Sequence, residues 1–162
     1  MRLRFWWATG TEPVDVDDEL VDIDAAFAAT AASFTGEEGG ELALPAMQDC
    51  DVGGCDESVD PTPDQQSLFN AVTPEDETID VFVAEHLSDD DEGCAKHPEN
   101  ALAVVVTRNH SRWALAHELG HLAGLGHVLD TSSLMHKRPR EIVGTPVLTP
   151  AEVARVNEFV SS

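Results

Sequence analysis

His117-Glu118-Leu119-Gly120-His121-Leu122-Ala123-Gly124-Leu125-Gly126-His127 is the stretch from which the rest of the chain can be read. Its spacing is H-E-x-x-H-x-x-G-x-x-H. On a helix, residues four apart lie about 40° from a common line and roughly 6 Å apart along the axis. His117 and His121 therefore point the same way and can share one metal ion. Glu118 stands beside the first ligand but angled away, where a general base for a water on the metal belongs. His127 could not join them on a continuing helix, which would carry it about 15 Å up the axis. The chain must turn back, and Gly124 stands where a left-handed C-cap costs least. Three histidines leave a fourth tetrahedral position open, the pattern of a catalytic rather than a structural zinc.

These eleven residues resemble the consensus of the metzincin clan of zinc metallopeptidases. The clan also has a Met-turn beneath the metal, and Met135 follows in Ser132-Ser133-Leu134-Met135-His136. The short connection from His127, with Leu before Met, resembles the matrixin branch. Other branches carry a metal-binding tyrosine after the methionine, and this chain has no tyrosine. The resemblance implies an α+β zincin domain: a twisted, mostly parallel sheet backed by a long helix and the active-site helix, then a short C-terminal subdomain ending in a helix. It also implies one catalytic domain over 1–162, with an upper subdomain at 1–127 and a lower one at 128–162. Met135 would floor the site without a chemical role.

Composition narrows the partners. Thirty-one acidic residues against 9 basic give a net charge of −22, so nucleic acid and anionic membrane are poor partners. Adaptation to high salt is one reading of this acidity; the Asp-rich, Lys-poor bias of a GC-rich genome is the other. No apolar run approaches a transmembrane length. The start, Met1-Arg2-Leu3-Arg4-Phe5-Trp6-Trp7-Ala8, is basic, but its apolar run is too short for a signal peptide. The expectation is a monomer, cytoplasmic if the chain is complete and extracellular if it is a mature or excised domain. Cys50, Cys55 and Cys94 allow at most one internal disulfide, Cys50–Cys55 or a link from either to Cys94. A cysteine that blocks the zinc, as in a matrixin pro-segment, is disfavoured because that segment's motif is absent.

Along the chain, Leu3, Phe5 and Trp7 alternate with Arg2, Arg4 and Trp6, a half-buried strand. Trp6 and Trp7 read as packing residues. From Asp15, the positions Val16, Leu20, Ile23, Phe27, Ala31 and Phe34 follow helical steps, with Asp15, Asp17, Asp18 and Glu19 in the first turns. Gly36, Gly39 and Gly40 are expected to end that helix. A second strand is expected over Glu41–Met47. An Asp-, Pro- and Gly-rich excursion follows over Gln48–Glu77, with a short helix near Asp64–Asn70. Thr78–Leu87 and Ala101–Thr107 read as strands. The acidic run Ser88–Gly93 reads as a solvated loop; it could hold calcium but lacks the regular ligand spacing. His86, Cys94 and His97 are weak candidates for a second zinc site, without an obvious fourth ligand. Asn109 or Ser111 should cap the active-site helix, which runs to about Ala123, and His110 reads as a surface or capping residue. Thr149-Pro150-Ala151-Glu152 is a capping box opening a closing helix with Val153, Val156 and Val160 on one face.

The function expected from these residues is peptide-bond hydrolysis, with zinc on His117, His121 and His127 and Glu118 as general base. One alternative is a non-catalytic, zinc-stabilised binding module, against which Glu118 speaks, since a structural metal has no use for that carboxylate. Another is a processing peptidase dedicated to one partner protein. Lys137, Arg138 and Arg140, three of the nine basic residues, cluster just after Met135. In matrixin-like enzymes that segment walls the pocket for the residue after the scissile bond. These side chains either favour acidic or polar substrate residues there or pair with acidic neighbours such as Glu141.

Overall fold

The computed structural model describes residues 1–43, 67–87, 91–96 and 102–162. Five strands form one sheet: β1 (Arg2–Ala8), β2 (Thr35–Leu42), β3 (Thr78–Ala84), β4 (Gly93–Lys96) and β5 (Leu102–Thr107), in the order β2-β1-β3-β5-β4. The first four of that order run parallel, and β4 alone pairs antiparallel, with β5, at the sheet's end. Helices α1 (Val16–Ala26), α2 (Ala114–Leu122) and α3 (Pro150–Phe159) complete the fold with a 3-10 turn at Pro139–Glu141. The expected α+β architecture with a mostly parallel sheet is therefore found. No helix among the described residues is long and apolar enough to cross a membrane.

The period-2 patterns sort the sheet's two faces. Leu3, Phe5, Ile79, Val81, Val104 and Val106 face the helices and form one core with Ile23, Trp113 and Leu115. Phe82, Ala103, Val105 and Cys94 face the other way, toward Leu68 and Phe69. On that second face Asp80 is buried and accepts from Arg4 Nε at 2.9 Å and Trp6 Nε1 at 2.8 Å, so its charge is paired. Trp6 packs as expected, its ring filling the space a side chain on Gly39 would need.

Three expectations about local structure are corrected. α1 ends at Ala26, well before Phe34, although Phe34 is still buried and its ring lies 5.5 Å from that of Phe27. Side chains compete with the helical ladder there: Thr30 Oγ donates to Phe27 O and accepts from Ala32 N, while Asn157 Oδ1 of α3 accepts from Ala31 N. Gly36, Gly39 and Gly40 do not terminate a helix; they lie inside β2, which covers Thr35–Leu42 rather than starting at Glu41. A glycine-rich, acidic segment makes a strand because β1 supplies a parallel partner along its whole length, with an irregular step at Phe5/Trp6. Of the stretch expected at Gln48–Glu77, residues 67–69 are helical. Residues 44–66, with Cys50, Cys55 and the rest of the expected strand end and short helix, lie outside the described residues.

Other readings hold. Asp17, Asp18 and Glu19 lie in the first turn of α1 as expected, and Asp15 just before them is its N-cap, accepting from Asp17 N and Asp18 N at 3.0 and 3.2 Å. Thr149 and Glu152 form the capping box at α3, and Val156 on its inner face is buried.

Candidate metal centre

Every residue of α2 is buried, including His117, Glu118 and His121. Burying three ionisable side chains on one short helix is costly unless they are hydrogen-bonded or hold an ion. The entry to this helix is not capped as expected. Trp113 occupies the N-cap with no side-chain bond, while Ser111 is engaged elsewhere: its N–H and hydroxyl donate to Glu92 Oε1 and Oε2 at 2.9 and 2.7 Å. Glu92 is thus a structural anchor rather than a solvated loop residue. His110 is also not a surface residue. Its side chain is buried, with Nδ1 3.0 Å from Ser111 O and Nε2 3.2 Å from Glu19 Oε1 of α1, in ion-pair contact though not aligned for a hydrogen bond. Burial opposes the charged form of His110, but Glu19 and the Ser111 carbonyl outweigh it and raise the pKa.

At its far end α2 stops at Leu122, and Gly124 adopts φ +76°, as the motif required. A β-carbon is strained in that left-handed conformation. Gly124 N donates to His121 O and Leu125 N to Gly120 O, which turns the chain back toward the helix. Arg155 of α3 donates to the Gly124 carbonyl and ties the turn to the closing helix.

The three histidines converge. His127 Nε2 lies 3.2 Å from His117 Nε2 and 3.0 Å from His121 Nε2, and among the described residues this is the one group of three ligand-type side chains placed to hold a metal ion. His117 Nδ1 is 2.8 Å from Leu134 O and His121 Nδ1 is 2.8 Å from Leu125 O. A carbonyl only accepts, so each Nδ1 carries the proton and each Nε2 presents a lone pair. One proton on His127 could bridge one of these pairs, whereas a cation satisfies all three nitrogens. Tetrahedral zinc at about 2.0–2.1 Å from each nitrogen would set them about 3.3–3.4 Å apart, close to the observed spacing. The site fits the metal. Burial, then the neighbouring His121, lowers the His117 pKa to about 3, so the ring is neutral as a ligand must be.

Met135 is fully buried beneath α2, its sulfur in the space a β-carbon on Gly120 would occupy, 2.5 Å from that point. The turn is held by Ser133 Oγ accepting from Met135 N and by Val128 N donating to Met135 O. Glu118 is buried as well; burial first, then Asp91 and Glu92, pushes its carboxyl up to about 8.

The second zinc reading fails. Cys94 is disulfide-bonded and buried on β4, so its sulfur is not a ligand. His86 is exposed, and His97 lies outside the described residues, as do residues 88–90 of the acidic run that could hold calcium. Of the basic cluster, Arg138 pairs with Glu141 at 3.0 Å and Arg140 with Glu92 at 3.7 Å, while Lys137 is exposed. All three line a hollow of about 450 Å³ with Asp91, Glu92 and Glu141. Glu92, Gly93 and the carbonyls of Leu125 and Leu134 carry no sequence signal of their own. Their roles exist only through contacts between distant segments.

No protein-family model matches the sequence, and no curated protein matches it. Solved structures do. Metalloproteinase-II from Bacteroides fragilis superposes with a TM-score of 0.65 at 16% identity, over 99% of this chain and 53% of that one, so this chain spans about half of its length. Archaemetzincin from Methanopyrus kandleri gives 0.65 at 16% identity over 100% of this chain and 96% of that one. A zinc-dependent peptidase from Methanocorpusculum labreanum gives 0.55 at 16% over 96% and 100%. At such identities the likeness establishes the fold, which is metzincin-like.

Proposed function

We propose that this chain is a zinc-dependent endopeptidase of the metzincin type, with His117, His121 and His127 as metal ligands and Glu118 as general base. The observation that carries the reading is the convergence of three imidazole Nε2 atoms, two of the separations being 3.0 and 3.2 Å, with a buried glutamate next to His117 on the same helix. Zinc held there would supply Lewis acidity toward a peptide carbonyl and a more acidic water. With a cation in the triad favouring its ionised form against the cost of burial, Glu118 would accept the attacking water's proton and pass it to the departing amine nitrogen. The Leu134 and Leu125 carbonyls hold the two helical imidazoles in their ligating tautomer. β4, at the sheet's end, offers a backbone edge along which an extended substrate can lie. The eight-residue step from His127 to a buried Met135 preceded by Leu134 supports a matrixin-like branch. The motif's turn at Gly124 supports a division into an upper subdomain, 1–127, and a lower one, 128–162.

A binding module with a structural zinc is the second reading, and the buried Glu118 beside the triad disfavours it. Digestion of casein by the purified protein, with and without chelator and alongside metal analysis, tests the proposal. Chelator-sensitive cleavage with close to one zinc per chain is expected. Bound zinc without any cleavage would favour the binding module.

A further inference from the structure

β4 runs beside α2 at the sheet's edge, and its helix-facing positions are the two smallest side chains available, Gly93 and Ala95. Gly93 lies directly against the Glu118 side chain. A β-carbon placed on Gly93 would sit 2.8 Å from Glu118 Cγ, 2.9 Å from Glu118 Oε1 and 3.0 Å from the Val105 carbonyl oxygen. Carbon atoms in contact prefer about 3.5–4.0 Å, so the added methyl and the present Glu118 conformer exclude each other.

The strand cannot retreat to relieve the clash. Gly93 is paired in register with Val106, and Thr107 N donates to the carbonyl of Glu92 at 2.9 Å. The Glu92 carboxylate is held by Ser111, and Cys94 is buried on the opposite face in a disulfide. Val105 O, 3.0 Å from the added β-carbon, belongs to the backbone of β5 and is fixed by the sheet. The flexible party is therefore the Glu118 side chain.

We infer that Gly93 is a positioning residue for the proposed general base: its missing side chain is the space that holds the Glu118 carboxylate beside the histidine triad. This rests on the peptidase reading and adds to it a determinant on an edge strand, twenty-five residues before the base. The hydrogen bonds that orient His117 and His121, to the Leu134 and Leu125 carbonyls, do not involve Gly93. Metal binding and the base's position are thus separable.

The experiment compares wild type, Gly93→Ala, Glu118→Ala and the double variant, each as the full chain. Readouts are zinc per chain, kcat and KM on quenched-fluorescent casein, and thermal melting. Gly93→Ala should keep its zinc and a KM within about twofold, while kcat falls roughly tenfold to 10²-fold, the scale of a misplacement near 1 Å. The drop in Tm caused by Gly93→Ala should shrink by at least half in the Glu118→Ala background, where the contested space is vacated. Should Gly93→Ala alone fail to fold while the double variant folds, that rescue supports the inference equally. Wild-type kcat in zinc-loaded Gly93→Ala overturns it. An equal Tm drop in both backgrounds, or failure of both Gly93 variants to fold, also overturns it. An inactive wild type would instead tell against the peptidase reading, and the melting comparison would still judge the packing.

Discussion

His117 of α2 and Leu134 are joined by a hydrogen bond: Nδ1 of the imidazole lies 2.8 Å from the backbone carbonyl, seventeen positions further along the chain. That bond ties the segment around Met135 to the proposed metal site, because it sets which nitrogen of His117 carries the proton. Met135, the next residue, is fully buried against Gly120. Met135→Ala should therefore destabilise the fold by about 2–5 kcal/mol and weaken zinc binding roughly 10- to 100-fold through the loosened Leu134 carbonyl. Met135→Leu, which conserves volume, should cost less than about 1.5 kcal/mol. Chelator competition beside thermal melting checks both; unchanged zinc affinity in Met135→Ala would detach the turn from the site.

Glu118→Ala should retain the zinc, since the carboxylate is no ligand in the proposed site, while proteolysis falls by a factor of about 10² to 10⁴ or more. His121→Ala should lose most of the metal together with part of the stability, because binding and folding are linked. Metal analysis and casein turnover on the two variants separate the roles. Full activity in Glu118→Ala would end the general-base assignment.

The His110–Glu19 contact gives stability a pH dependence. The folded-state pKa of His110 is raised above 6.5 against the cost of burial, so its stabilising contribution is fully present below the unfolded value of about 6.5 and is lost as pH rises through the folded value. The Tm difference between wild type and His110→Gln should be larger at acidic pH than at pH well above neutrality. Comparing the two proteins at each pH cancels the carboxylates common to both. A constant difference would mean the contact carries no charge.

With 31 acidic and 9 basic residues, mutual repulsion should be relieved by screening. If the surface is adapted to high salt, Tm keeps climbing well beyond the salt at which the Debye length falls to about 8 Å. A plateau near physiological ionic strength would favour the genome-composition reading.

Lys137, Arg138 and Arg140 share one hollow, but Arg138 and Arg140 are partly neutralised by Glu141 and Glu92. A preference for acidic residues beyond the cut should therefore be modest and lean on exposed Lys137. Cleavage profiles of a mixed peptide library, for wild type and the Lys137→Ala/Arg138→Ala/Arg140→Ala variant at low salt, test this. Identical profiles would leave the cluster a solvated, self-paired loop.

What could be read without coordinates was whatever repeats at the period of one element or is punctuated by one residue type. The histidine spacing, the glycine turn, the β1, β3 and β5 patterns and the Thr149 capping box are all local, and each was found where expected. The end of α1 was not legible, because the apolar period continues to Phe34 while the backbone is claimed by Thr30 and by Asn157 from another helix. Nor was β2, a glycine-rich segment that becomes a strand only when β1 supplies its partner. The sequence by itself determined that a metal could be bound and by which side chains, since four-residue spacing on a helix is a local geometric fact. Only the tertiary structure decided which carbonyls orient those side chains, that Glu92 anchors the helix entry through Ser111, and that a glycine on an edge strand makes room for Glu118. Those depend on distances between segments far apart in the chain, and such distances exist only once the sheet, α2 and the segment around Met135 are packed together.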